Sequence, residues 1–365
     1  MSNVKSTLFV SLALLSSLAS AGTYTYYDLG ASFTPTNISP TTGYIVGKNP
    51  QSGGITRDAY MTFTYSGSGT TISSLQVVPL LSGDPYQQSA LPVSVNDSGD
   101  VVGTAVTTPH GYEWNLIAGG SPIQLAGTTT PYATYALCMN NYGEIAGQVI
   151  GNADALWGAI WATPSSAITP VQDPFSWEGE FQLSFFAINN YGDLLCTAAH
   201  GTANGYWYNG STFTGIASCD AVTALNDSNQ IVGTYPHPTN ASPANTYNPT
   251  ACIWSSPTAS PTPLDDATTV TSSANALNNS GTVVGTFTTQ YPNPVMPHAF
   301  VWTSGSGMVD LNGSGVVYPA LPSGVTLETA LAIDSYGDIV GTGQVVVSGV
   351  PSTHAFLLIP STGGA

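Results

Sequence analysis

The residues whose types and spacing could do chemistry start with the segment DPFSWEGEF, 173–181. Trp177 offers a flat apolar face on which a sugar ring can stack, and Glu178 and Glu180 can accept hydrogen bonds from its hydroxyls. Paired carboxylates are also what glycoside cleavage requires, with their separation set by the mechanism. The same segment also reads as a solvated crossover whose Trp and Phe pack over a neighbouring layer. Three further rings in loop-like stretches, Tyr235, Tyr247 and Tyr291, join Trp177, Glu178 and Glu180 as candidate ligand contacts. Asp265 and Asp266 in PLDDATT read as a strand end with a polar turn, or as half of a cation site.

His110, His298 and His354 each open an apolar phrase, in HGYEW, HAFVW and HAFLL. Histidines on separate units cannot all reach one metal at bonds of about 2 Å, so they are expected to cap strands by hydrogen bonding. His200 and His237 fall in or beside loops. No Ser-His-Asp arrangement, phosphate-binding glycine loop or zinc motif stands out, so no catalytic residue and no metal ligand is assigned. Oxygen-rich Asn-Asn/Asp-x-Gly turns suit calcium in principle, but their spacing is not that of an EF-hand. The expected cofactor is none, with calcium as the alternative.

Composition narrows the partners. Residues 1–21 combine Lys5, the apolar run TLFVSLALLSSLA and the small residues Ala19-Ser20-Ala21, the pattern of a secretory signal peptide. Export is therefore expected, with the protein released or held non-covalently at the cell surface. No later run approaches about 18 continuous apolar residues, so no membrane insertion is expected. Once Lys5 has left, twenty carboxylates face only Lys48 and Arg57, a net charge near −18. Nucleic acid, which needs a basic face, is excluded. Hydrophobic residues at 42% and aromatics at 10% supply a core, so low charge does not signal disorder. Such a surface suits an acidic habitat, where carboxylates neutralise below about pH 4 and net charge falls towards zero; drift towards neutral residues is the alternative. Four cysteines (Cys138, Cys196, Cys219, Cys252) allow up to two disulfides or buried free thiols.

These residues must be positioned by a repeat. SVNDSGDVVG, CMNNYGEIAG, AINNYGDLLC, ALNDSNQIVG, ALNNSGTVVG and AIDSYGDIVG are versions of one phrase, and ISPTTGYIVG is a degenerate seventh. Asn at the turn start and Gly three residues later predict a type I turn closed by a left-handed residue, hence a β-hairpin. A second apolar phrase follows most hairpins, and a short fourth segment such as MVDL (308–311) follows several. The turn positions 43, 99, 143, 192, 229, 281 and 337 average 49 residues apart. Four strands at that period predict an all-β fold, a β-propeller of seven four-stranded blades occupying residues 22–365 as one domain. The seventh copy lacks its last strand, and TYTYYDLG (23–30) matches MVDLN, so the N-terminal strand is expected to close the ring. Six blades or an open array are the alternatives.

The triplet His-Ala-Phe at 298–300 and 354–356, the Asn-Asn/Asp-x-Gly hairpins, the following Val-Val-Gly and the opening YDLG resemble the extracellular HAF-repeat family. Pro40 and Cys196 depart from the pattern. The resemblance implies an exported bacterial repeat protein with propeller-like architecture and leaves activity open. The resulting expectation is a secreted, non-catalytic propeller that binds an extracellular glycan, a matrix component or a protein. A polysaccharide hydrolase or lyase, and a self-assembling surface or filament subunit, are the alternatives. Variable B–C loops and D–A crossovers, with A–D denoting the strands of a blade in order, are where binding is expected.

Overall fold

The computed structural model describes residues 23–50, 56–66, 69–77, 90–105, 110–119, 122–127, 133–150, 155–175, 182–198, 201–238, 247–265, 269–289 and 296–361. They form seven antiparallel blades: 34–77, 90–124, 134–171, 183–215, 221–263, 269–310 and 325–360, the last completed by 24–30. Blade six shows the plan, with strand A at Thr269–Leu277, B at Val283–Thr289, C at His298–Thr303 and D at Gly307–Asp310. Each strand A packs against strand A of the next blade, which puts the A strands around the axis. The A–B and C–D turns share one end of the ring, the turn face. B–C loops and D–A crossovers share the other, the loop face.

The repeated phrase builds the A–B turn as expected. In blade two the Asn96 N–H donates to the Asp100 carbonyl at 3.0 Å and the Gly99 N–H to the Asn96 carbonyl at 3.1 Å. Gly99 sits at φ 72°, and its counterparts Gly43, Gly143, Gly192, Gly281 and Gly337 are left-handed too. Asn229 takes the position in blade five at φ 57°, a conformation Asn tolerates better than most residues.

The Val-Val-Gly that follows is explained by packing. Val283 and Val284 are both fully buried, one in the cluster between blades five and six, the other between six and seven. A strand covered on both faces reads as a continuous apolar run, and each such side chain contributes about 1.5–3 kcal/mol. The described core divides into seven clusters, one at each seam. Gly285 faces the Ser273 carbonyl beside a bulge in strand A, where a Cβ would collide. In blade four Cys196 holds that register, opposite Phe185, and its thiol is fully buried. All four cysteines are buried free thiols.

Ring closure is also as expected. Tyr24–Gly30 pairs antiparallel with Val350–Pro360, strand C of blade seven. His354 Nδ1 lies 2.8 Å from Asp28 Oδ1 across this pair, and His298 Nδ1 lies 2.8 Å from Asp310 Oδ2 in blade six. The His of His-Ala-Phe and the Asp of strand D therefore cap one blade together.

Blade one departs from the plan. Its A–B turn has an extra residue, and its strand C, Thr56–Ser66, is long enough to pair with both Gly69–Ile72 and Gln76–Val77.

Candidate functional site at the axial turn face

The turns converge on a depression at the axis with about 590 Å³ of empty space, open solvent at its mouth included. Its lower wall is a ring of apolar side chains, one per blade: Ile38, Val95, Met139, Ile188, Leu225, Leu277 and Ile333. Above them stands the first polar residue of each phrase, Asn in blades two to six and Asp334 in blade seven.

Four of these five asparagines, those of blades three to six, do two jobs. Asn226 Oδ1 accepts the N–H groups of Ser228 and Gln230, both at 3.0 Å, which holds its own turn. Its Nδ2 donates to the Gln230 side chain at 2.8 Å and to the Asn278 carbonyl of the next blade at 3.1 Å. Asn140, Asn189 and Asn278 likewise donate to the carbonyls of Asn189, Asn226 and Asp334. The second residue of the dipeptide adds an outer ring. The N–H groups of Asp97, Asn141, Asn190 and Asp227 donate to the side chains of Asn141, Asn190, Asp227 and Asn279 at 2.9–3.2 Å. Backbone and side-chain bonds from Thr41 to Asp97 and from Ser335 to Pro40 carry the ring through blade one. The repeated Asn-Asn/Asp is thus a blade-to-blade fastening.

Asp334 is the exception with chemical consequences. Its Oδ1 accepts the Tyr336 and Asp338 N–H groups at 2.8 Å, as the asparagines do. Its Oδ2 takes the place of an amide NH2, is buried and has no hydrogen-bond partner. Burial, reinforced by the neighbouring Asp338 carboxylate, pushes the Asp334 carboxyl up to about 8. A proton on Oδ2 restores the missing donor.

The residue after the dipeptide points outward. Tyr142, Tyr191 and Tyr336 occupy it in blades three, four and seven, and are 77%, 78% and 52% exposed. Blades two, five and six carry Ser98, Ser228 and Ser280 there. Tyrosine presents a stacking face and a hydroxyl, and these three follow turn residues whose amides donate to carbonyls and carboxylates of neighbouring turns. Lys48 and Arg57 lie at the opposite end, where strands B and C of blade one meet the loop face.

Of the sequence-derived candidates, the structure places the side chains of Tyr235 and Asp265. Trp177, Glu178, Glu180 and Tyr291 lie outside the described residues, as does the Tyr247 side chain. Tyr235 is half-buried against the cluster between blades four and five. Just before Trp177, Asp173 Oδ1 accepts the Phe175 N–H at 2.8 Å, and Phe175 packs on Tyr206 with ring centres 4.5 Å apart. That end of the segment therefore packs over blade four. Asp265 accepts the Ser272 hydroxyl at 2.9 Å, tying blade five to six; Asp266 lies outside the described residues. The tyrosine arc was missed, although its signal is in the phrase: three turns carry a ring where Ser suffices in three others.

Neither a family model nor a curated protein sequence matches the chain. Solved structures do. The chain is similar to a puromycin-hydrolysing peptidase of Mycobacterium tuberculosis, at 15% identity and a TM-score of 0.51, covering 91% of this chain and 51% of that one. It thus spans about half the length of that peptidase. The BP39L lectin of Burkholderia pseudomallei follows at 12% identity and a TM-score of 0.46, covering 93% and 98% of the two chains. A Trypanosoma rangeli sialidase is at 9% and 0.37, covering 94% and 55%. At these identities the likeness is one of fold alone.

Proposed function

We propose that this propeller, exported and HAF-repeat-like, is a non-catalytic module that binds extracellular glycan through its turn face. The observation that carries the reading is the exposure of Tyr142, Tyr191 and Tyr336, each next in sequence to a dipeptide (Asn140-Asn141, Asn189-Asn190, Asp334-Ser335) that lines the axial depression. Ring faces stack on the apolar faces of sugars, and phenol hydroxyls with nearby carbonyls bond their edges. The fastened asparagine ring holds the arc rigid, which lowers the ordering cost of binding. With both cations at the far end, the turn face favours uncharged glycans over anionic ones.

A panel of soluble and insoluble polysaccharides, incubated with residues 22–365 at pH 3 and pH 7, tests this by reading both retention and release of reducing ends. Retention without release, weakened by Tyr142→Ser and Tyr191→Ser, is expected. Retention indifferent to both changes would contradict it.

A hydrolytic second reading has one observation in its favour, the Asp334–Asp338 pair beside the axis. Both carboxyls are almost fully buried, at 2% and 0% exposure, so a scissile bond has no approach in this conformation. Release of reducing ends abolished by Asp334→Asn would establish it.

A further inference from the structure

We infer that the turn face holds an internal stretch of an uncharged polysaccharide, laid along the tyrosine arc and backed by a hairpin that blade one raises above the face. The inference rests on the glycan-binding reading above and specifies how the chain lies.

The hairpin is a departure from the repeat. Strand C of blades two to six ends at Asn115, Trp161, Tyr208, Trp254 and Thr303, near the level of its A–B turn. In blade one it continues. The Phe63 N–H donates to the carbonyl of the turn glycine Gly43 at 3.0 Å, and Phe63, Thr64, Tyr65 and Ser66 then pair with Ile72, Thr71, Thr70 and Gly69. At about 3.3 Å per residue the finger rises roughly 10 Å past the turn. Its base is anchored by Phe63, which is buried at the seam between blades seven and one. Thr64 and Thr71 are exposed, so the described part of the finger shows solvent a hydroxyl surface with no charge.

Position in the ring gives the finger its role. Going round, Tyr336 stands on blade seven, the finger on blade one, exposed Ile117 on blade two, and Tyr142 and Tyr191 on blades three and four. Blades five and six carry only Ser228 and Ser280 at the turn. The wall is therefore a crescent, with tyrosines at both ends, the finger between them and an open front. Towards the axis the ring amides already donate to backbone carbonyls of the next blade, above aliphatic side chains. A chain end pushed towards the axis would meet groups already paired. A long chain lying along the crescent meets rings at both ends and hydroxyls behind, and can run on past either end.

The test uses the whole mature chain, with hydroxyethyl cellulose, laminarin and dextran as probes, and oligosaccharides of two to eight residues cut from whichever is retained. Affinity is expected to rise at least about tenfold from disaccharide to octasaccharide, and borohydride reduction of the polymer's reducing ends is expected to change nothing. Replacing residues 64–71 by Asn-Gly is expected to weaken polymer binding about fivefold or more, with Tm checked in parallel. A disaccharide binding as tightly as polymer, or binding lost on end reduction, overturns the inference whatever the trimmed variant does. If retention needs Tyr142 and Tyr191 but ignores length and finger, the glycan reading stands and this one falls. If no probe is retained, both fall.

Discussion

The side-chain amide of Asn278 in blade six donates to the backbone carbonyl of Asp334 in blade seven at 2.9 Å, and the residue receiving that bond is where the ring's asparagine becomes an acid. The bond belongs to a fastening that crosses every seam at the axis. The acid is the point where the fastening depends on a proton.

Asp334→Asn is therefore expected to stabilise the protein near neutral pH. Asparagine supplies the donor that Asp334 provides only when protonated, and it faces Asp338 as Asn96 faces Asp100 and Asn140 faces Glu144. A gain of about 1–3 kcal/mol at pH 8 is expected from satisfying a buried polar group, shrinking by pH 5. Thermal melts at the two pH values check it; a Tm that falls at pH 8 would contradict it.

Asn226→Ala removes the opposite kind of residue. It leaves the Ser228 and Gln230 N–H groups without their acceptor and cuts the bond to the Asn278 carbonyl. A loss of about 2–4 kcal/mol in denaturant unfolding is expected. Asn209→Ala, in an exposed C–D turn whose bonds stay local, is expected to cost about 1 kcal/mol or less.

Acidification from pH 8 to about 5 is expected to raise stability. Burial pushes Asp58 up to about 8, with Lys48 opposing, and pushes Glu113 up to about 7, with Asp100 reinforcing. Asp334 is raised to about 8 by burial and by Asp338. His298 is raised by its hydrogen bond to Asp310 against the effect of burial. Every folded value lies above the unfolded one, so the folded state holds more protons across this window, and stability is lost as pH rises. Asp310 works in the opposite sense. Burial raises it, but the bonds from His298 and Asn312 prevail and lower it, so its contribution is lost as pH falls below about 4. A Tm maximum near pH 4–6 is expected; a maximum at pH 8 would contradict the assignment and the acidic-habitat expectation with it.

His354→Ala is expected to loosen the ring at its closure, because Asp28 loses the partner that joins the N-terminal strand to strand C of blade seven. Faster amide exchange in residues 24–30, with other blades unchanged, is the readout. Uniform acceleration across all blades would show that the contact is not local.

The blade count was legible because each turn states its own geometry: a left-handed position accepts Gly, and Asn229 where Gly is missing. Closure was legible because TYTYYDLG repeats the Asp-Leu of strand D. The seam bonds were not. Asn140 satisfies its own turn, so a local reading leaves nothing to explain, and the Asn189 carbonyl it also reaches is 49 residues away. The tyrosine arc was hidden for the same reason. Tyr142 and Tyr191 look like turn filler until the ring sets Asn141 N–H 3.0 Å from Asn190 Oδ1 and brings the two turns side by side.

Hydroxyl-radical footprinting of the tyrosines, with and without a retained polysaccharide, tests the central claim most directly. Tyr142, Tyr191 and Tyr336 are expected to be protected, while Tyr318, 73% exposed in the crossover between blades six and seven, keeps its rate of oxidation. Protection of Tyr318, or of residues on the loop face, with the three turn tyrosines unchanged would place binding elsewhere and contradict the account.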